Sequence, residues 1–211
     1  RMDIKKEENQ IYVKVVDYKS GHNEFQLVSL YHGMQLQLVV YLNAAVELMK
    51  QKYPNKEVAG AGMFYYHIDD PVIDIQKIKG EPTEETIRRE IFEKLKLSGV
   101  GWDASDESVE NKSKKSSREE LETISGFVNE KIRDIGRQIY QGDIAVSPYR
   151  MDKRTGCDYC PYHGICGFDL HIPGHGYRNI SKYADKELLL EQMREEAAHG
   201  DDVYKGPAEG H

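Results

Sequence analysis

The sequence predicts an α/β fold in which helices pack on a sheet and a cysteine-rich segment follows. Three observations carry that prediction. Residues 11–19 and 57–68 are β-branched and aromatic runs with strand character. Residues 23–52 and 118–141 repeat apolar side chains at helical spacing. All three cysteines fall between residues 157 and 166.

Within Ile11–Lys19 successive side chains alternate between two faces, so Ile11, Val13, Val15, Asp17 and Lys19 share one of them. Ile and Val mark that face as the core side, where an amphipathic strand avoids an acid and an amine. A divalent cation supplies a reason for both. Mg²⁺ takes carboxylate, carbonyl and water oxygens, and Asp17 can give one of them. Lys19, one pleat on, then sits beside the attacking water or a phosphate oxygen, offsetting the charge that builds during phosphodiester cleavage. The plain alternative is a surface ion pair leading into a turn at Ser20-Gly21. Ahead of this strand, Lys5 to Asn9 reads as a hairpin turn and Arg1 to Ile4 as part of a partner strand.

Asn23 to Lys52 is the longest periodic stretch. Leu27, Leu30, Tyr31, Met34, Leu38, Tyr41, Leu42, Ala45 and Leu48 predict one amphipathic helix packed on the sheet, ended by Pro54-Asn55. Gln37 and Tyr41 lie one turn apart on it. Their amide and hydroxyl either meet solvent and packing neighbours or, beside Asp17 and Lys19, face the phosphate of a bound DNA strand.

Glu57 to Ile68 reads as a largely buried strand with glycines where a neighbour approaches. His67 with Asp69-Asp70 fits either a ligand set or a polar turn at the strand end. Val72 to Ile78 predicts a further strand. Thr83 opens a helix with an acidic first turn and the apolar set Ile87, Ile91 and Leu95, ending by Gly99. Residues 103–117 carry almost no apolar side chain and read as a loop. Arg118 to Gln141 is a second long helix whose core stripe is Leu121, Ile124, Phe127, Val128, Ile132, Ile135 and Ile139, stopped by Gly142-Asp143.

Composition narrows the function classes. No apolar run approaches the ~20 residues of a membrane span, and the charged start, Arg1 to Glu8, lacks the apolar segment of a signal peptide, so the expected location is cytoplasmic. A net charge of −7 argues against a stand-alone nucleic-acid binder, which is normally basic, but not against a nuclease with an acidic metal site. An odd number of cysteines in one short segment disfavours a disulfide framework and favours a metal or cluster site. Cys157 and Cys160 form one corner of such a site and Cys166 adds a third thiolate. Zinc would use these with His163 or His171, whereas an iron–sulfur cluster would need a fourth cysteine from elsewhere in a longer chain.

The order Asp-Tyr-Lys-Ser-Gly from Asp17, Gln-Leu-Gln-Leu-Val-Val-Tyr-Leu-Asn-Ala-Ala from Gln35, Pro148-Tyr149 and Cys-x2-Cys-x5-Cys-Gly-Phe-Asp from Cys157 carries a resemblance. The chain resembles the C-terminal nuclease domains of the AddB/RexB family, within the RecB-like PD-(D/E)xK superfamily. The resemblance implies a restriction-endonuclease-like nuclease core, a mixed sheet flanked by helices, over residues 1–150, then a cysteine-rich iron–sulfur segment and C-terminal helix over residues 151–211. It implies Mg²⁺-dependent exonucleolytic cutting of single-stranded DNA in double-strand-break repair, beside an AddA/RexA-type helicase partner. On this basis Asp17 is the metal-binding acid, Lys19 the catalytic lysine, and Gln37 and Tyr41 the Gln-x3-Tyr element. Cys157, Cys160 and Cys166 are three of the four ligands of a structural 4Fe-4S cluster.

The family pattern Gly-x-Ile-Asp-Arg-x-Asp is met here from its Arg onward, as Arg1-Met2-Asp3. Its first acid falls just before Arg1, and Asp3 is a poor substitute for that metal ligand. The corresponding expectation is a nuclease fragment that is itself inert. The rival from another class is a non-catalytic DNA- or partner-binding module whose cysteines hold zinc.

Overall fold

The computed structural model describes residues 1–21, 24–68, 73, 83–94, 97–101 and 114–202. By their contacts they form two units, Arg1–Gln26 with Met34–Asn129, and Leu27–Gly33 with Glu130–His211.

The first unit is built on a sheet of β1 (Met2–Lys6), β2 (Gln10–Lys19), β3 (Glu57–His67), β4 (Ser98–Gly101) and β5 (Lys114–Lys115), ordered β1-β2-β3-β4-β5. β1 runs antiparallel to β2, as the hairpin reading expects, β2 parallel to β3, and β3 antiparallel to β4. The sheet is therefore mixed, as the resemblance implies. Helix α2 (Gln37–Lys52) covers β2 and β3, burying Leu38, Val39, Leu42, Ala45 and Met49 against Ile11, Val13 and Val15 of β2.

One irregularity decides which residues of β3 face this helix. Pairing runs Val13 with Gly60 and then Lys14 with Gly62, leaving Ala61 as an extra residue. Below it Gly60 faces α2, where an added Cβ would meet Leu42 at 3.1 Å. Above it the extra residue reverses the alternation, so Met63, Tyr65 and His67 lie on the α2 face in register with Val15, Asp17 and Lys19. On the opposite face Phe64 lies across Gly62, Gly99 and Gly101 and is almost completely buried.

Several expectations need correction. The single helix expected over residues 23–52 is two helices, α1 (Leu27–Tyr31) and α2, because the chain turns at Gly33 with φ +83°, a left-handed conformation that favours glycine. Leu48 and Tyr41 are exposed, and Met49 occupies the core in place of Leu48. Ser98 and Gly99, read as a helix end, open β4, whose Gly99 and Gly101 leave room for Phe64, and Lys114–Lys115, read as loop, form β5. In α4 (Arg118–Tyr140) Leu121, Ile124, Phe127 and Val128 are buried as expected, but Ile132, Ile135 and Ile139 are exposed. Helix α3 (Glu84–Lys94) begins where expected, with the Thr83 hydroxyl accepting the Thr86 N–H at 3.3 Å. Leu95, Asp69-Asp70, the strand expected over 72–78 except Ile73, and residues 103–113 of the expected loop lie outside the described residues.

In α4 an added Cβ at Gly126 or Gly136 would meet nothing within 4 Å. Gly126→Ala and Gly136→Ala are each expected to raise stability by about 0.5–1 kcal/mol, read as a higher urea midpoint with unchanged slope.

The second unit contains α1, α5 (Lys186–Asp202) and a small sheet of β6 (Tyr149–Met151), β7 (Arg154–Thr155) and β8 (Arg178–Ile180), ordered β7-β6-β8. α1 packs on α5, which buries Leu189, Leu190 and Met193. The Tyr31 hydroxyl donates to Glu196, and this bond pushes the phenol up to about 12. The folded-state value is raised, so the bond's contribution is complete below the ordinary tyrosine value and is lost as pH climbs towards 12. The stability difference between the wild-type chain and Tyr31→Phe is accordingly expected to be constant at neutral pH and to shrink between pH 10 and 12. Among the described residues no helix is long and apolar enough to cross a membrane.

Candidate active site

The C-terminal ends of β2 and β3 meet the first turn of α2, and there four sequence-predicted residues form one connected row. Asp17 and Lys19 project from the same face of β2, with Lys19 Nζ 2.8 Å from Asp17 Oδ2. The same ammonium donates to Gln37 Oε1 at 2.9 Å, and Gln37 Nε2 donates to the Tyr41 hydroxyl at 2.8 Å. Gln37 is the first residue of α2 and Tyr41 lies one turn later, so helical spacing places the amide above the ring.

The electrostatics are those of a partly sheltered ion pair. Pairing with Asp17 outweighs partial burial and raises the Lys19 ammonium above its ordinary value. Lys19 Nζ also stands 5.6 Å from the centre of the Tyr65 ring, whose phenol burial pushes up. Asp17 Oδ2 is shut off from solvent, and no donor other than Lys19 reaches it among the described residues. An ionised carboxylate oxygen has lone pairs to spare, so a sealed, under-used one fits a hard cation. Nearby, α2 begins without a side-chain cap and without an acid in its first turn. The positive end of the helix dipole is thus left for an anion.

Two site-facing residues escape the sequence reading. Pattern alone puts Tyr65 only in a buried strand, and His67 only in a ligand set or turn with Asp69 and Asp70. In the ladder Tyr65 neighbours Asp17 and His67 neighbours Lys19. The signal is the extra residue between Gly60 and Gly62, which glycine spacing hints at but does not locate. Asp3 is not brought to this site. It pairs with Lys14 on the other face of the sheet, and its Oδ1 accepts from Arg1 Nε at 2.8 Å.

The cysteines belong to the second unit. Cys157 N–H donates to Thr155 Oγ1 at 3.2 Å, Cys160 N–H to the Cys157 carbonyl at 3.2 Å, and Phe168 N–H to Cys166 Sγ at 3.5 Å. Phe168 stacks on His175 and meets Tyr177 edge-on, and the Arg150 guanidinium lies 4.1 Å from the Tyr177 ring centre. His163 is exposed, and exposed His171 pairs with Asp169 through Nδ1 at 2.7 Å. Among the described residues no three His, Cys, Asp or Glu side chains gather into a group that could hold a metal ion. The thiols therefore do not by themselves present a zinc or cluster shell.

Residues 1–167 match the family model described as the PD-(D/E)XK nuclease superfamily. Three curated relatives share one name, that of an ATP-dependent helicase/deoxyribonuclease subunit. The one from Lachnoclostridium phytofermentans is 33% identical over all of this chain, which covers 20% of the relative. Its counterpart from Thermoanaerobacter sp. is 30% identical over 96% of this chain and 19% of the relative. That from Caldanaerobacter subterraneus is 29% identical over 98% of this chain and 20% of the relative. The chain thus spans about a fifth of the length of these relatives.

Proposed function

Since this chain belongs to the PD-(D/E)XK nuclease superfamily, we propose that it is the DNA-cleaving domain of a bacterial helicase–nuclease, cutting single-stranded DNA at Asp17 and Lys19 in cytoplasmic double-strand-break repair. The names of the relatives supply the helicase partner and the deoxyribonucleic substrate. On this reading ATP is consumed by the helicase partner, and the nuclease domain hydrolyses phosphodiesters. The single observation that carries the proposal is the row Asp17–Lys19–Gln37–Tyr41 at the uncapped start of α2.

Nucleases of this superfamily use divalent metals such as Mg²⁺, which when bound polarises the scissile phosphate and makes water a better nucleophile. Asp17, whose Oδ2 is sealed and under-used, would hold such an ion. Lys19 offsets negative charge on the phosphate oxygens as it grows, and because Gln37 already fixes its ammonium, little side-chain freedom is lost at that moment. Tyr41 holds the Gln37 amide in the orientation that presents Oε1 to Lys19. The first-turn amides of α2 add a fixed positive field toward the same phosphate.

Arg1 and Val16 exchange both backbone hydrogen bonds, at 2.7 and 2.8 Å. A residue joined ahead of Arg1 in the same ladder would stand opposite Asp17 and on its face. This gives the test. With Gly-Ile-Asp joined ahead of Arg1, the chain is expected to bind Mn²⁺ and to cleave oligonucleotides with Mg²⁺ at least about tenfold better than with Gly-Ile-Asn joined there. Equal metal affinity and equal cleavage in the two would refute the proposal and leave a binding module. For Cys157, Cys160 and Cys166 the iron–sulfur reading rests on the resemblance, since their spacing fits zinc as well. Assays for iron and acid-labile sulfide on the purified protein decide it.

A further inference from the structure

On the sheet face opposite Asp17 and Lys19, the same strand ends carry a pair of aromatic rings. Tyr18 and Tyr66 are direct neighbours in the ladder, with ring centres 5.5 Å apart and planes at 70°. Tyr18 is 43% exposed and Tyr66 half-buried. The side chain of Arg1, bonded to Asp3, also reaches the Tyr18 hydroxyl. An edge-to-face pair leaves the flat side of its outer ring open, which is the geometry a planar ligand stacks on.

Charge indicates why such a ring is needed. With 36 acidic against 29 basic residues the chain is repelled overall by a polyanion, so phosphate contacts alone give a weak, salt-sensitive grip. Stacking of unpaired bases on aromatic side chains is largely indifferent to net charge and to base identity. Tyr18 sits between Asp17 and Lys19 in sequence, so a strand whose phosphate reaches Lys19 over the end of the sheet can lay a neighbouring base on Tyr18.

We propose that Tyr18 and Tyr66 form a base-stacking subsite for single-stranded nucleic acid on the sheet face opposite Asp17 and Lys19. The proposal rests on the nuclease reading for the identity of the ligand. It predicts that this chain distinguishes a strand with bases from one without them.

The test uses the chain in Ca²⁺ buffer, with dye-labelled oligo(dT) and an abasic oligomer of equal length read by anisotropy. The wild-type chain is expected to prefer oligo(dT) by about tenfold, Tyr18→Ala and Tyr66→Ala to lose that preference with abasic affinity unchanged, and Tyr18→Phe to keep it. No preference in the wild-type chain, or a wild-type preference in Tyr18→Ala, overturns the subsite. Mn²⁺ titration of Asp17→Ala, in the chain with Gly-Ile-Asp joined ahead of Arg1, is scored separately: unaltered metal binding there removes the nuclease reading, whereas the base preference reports only on the tyrosines.

Discussion

Lys19→Ala is expected to lower Mg²⁺-dependent cleavage by about 10²–10³-fold, measured in the chain that carries an acid ahead of Arg1, while leaving metal affinity intact or tighter. The asymmetry follows from the ion pair. Lys19 is the charge partner of Asp17 Oδ2, so a metal ion bound at Asp17 would compete with the ammonium for one sealed oxygen. Removing the amine frees that oxygen, and also removes the group that offsets charge on the phosphate. Asp17→Ala is expected to do the converse and abolish Mn²⁺ binding together with cleavage. Calorimetric metal titration beside a single-turnover assay separates the two. A Lys19→Ala chain that cleaves at the wild-type rate would strip the lysine of its catalytic role.

Gly99→Ala is expected to be the most damaging single methyl group in the sheet, costing more than about 3 kcal/mol. Its Cβ would come 2.0 Å from the Met63 carbonyl oxygen and 2.7 Å from Phe64 Cα. Both atoms are backbone of β3, so relief requires prising β4 away from its partner and uncovering Phe64. Gly101→Ala makes a useful contrast, because its closest clash is 2.6 Å from Phe64 Cζ, the end of a side chain. Phe64→Leu in the same molecule is expected to recover most of the loss at Gly101 and little of the loss at Gly99. Urea unfolding of the four variants tests the distinction, and comparable rescue at both positions would contradict the backbone argument.

Much of the fold was legible because it rests on short-range pattern. The strand over Ile11–Lys19, its partner strand, the strand from Glu57 and the start of the helix at Arg118 all follow from alternation, helical period or capping residues, and each is present. The failures share a cause: spacing reports which residues align, not what lies opposite them. The apolar positions from Leu27 to Leu38 keep helical spacing across a turn, and only Gly33 betrays the break. Ile132, Ile135 and Ile139 continue the stripe of α4 correctly in period, yet nothing among the described residues buries them. β4 is a strand because Phe64, over thirty residues earlier, needs bare backbone beneath its ring.

The site divides in the same way. Asp17 and Lys19 can be read as neighbours because a two-residue step returns to one face of a strand, and Gln37 and Tyr41 because four residues make one helical turn. That the two pairs meet through Lys19 and Gln37 is a tertiary fact. The presence of Tyr65 and His67 beside them depends on a bulge in β3 that no periodicity shows.

That bulge makes β3 behave like a reading frame. Most substitutions along it change one contact, but pairing the strand without the bulge, with Ala61 opposite Lys14, would turn the remainder inside out, sending Tyr65 and His67 to the far surface and Phe64 and Tyr66 into the space beside Lys19. What this strand has to preserve above all is that frame, and the residue that sets it is an alanine outside the row of site residues.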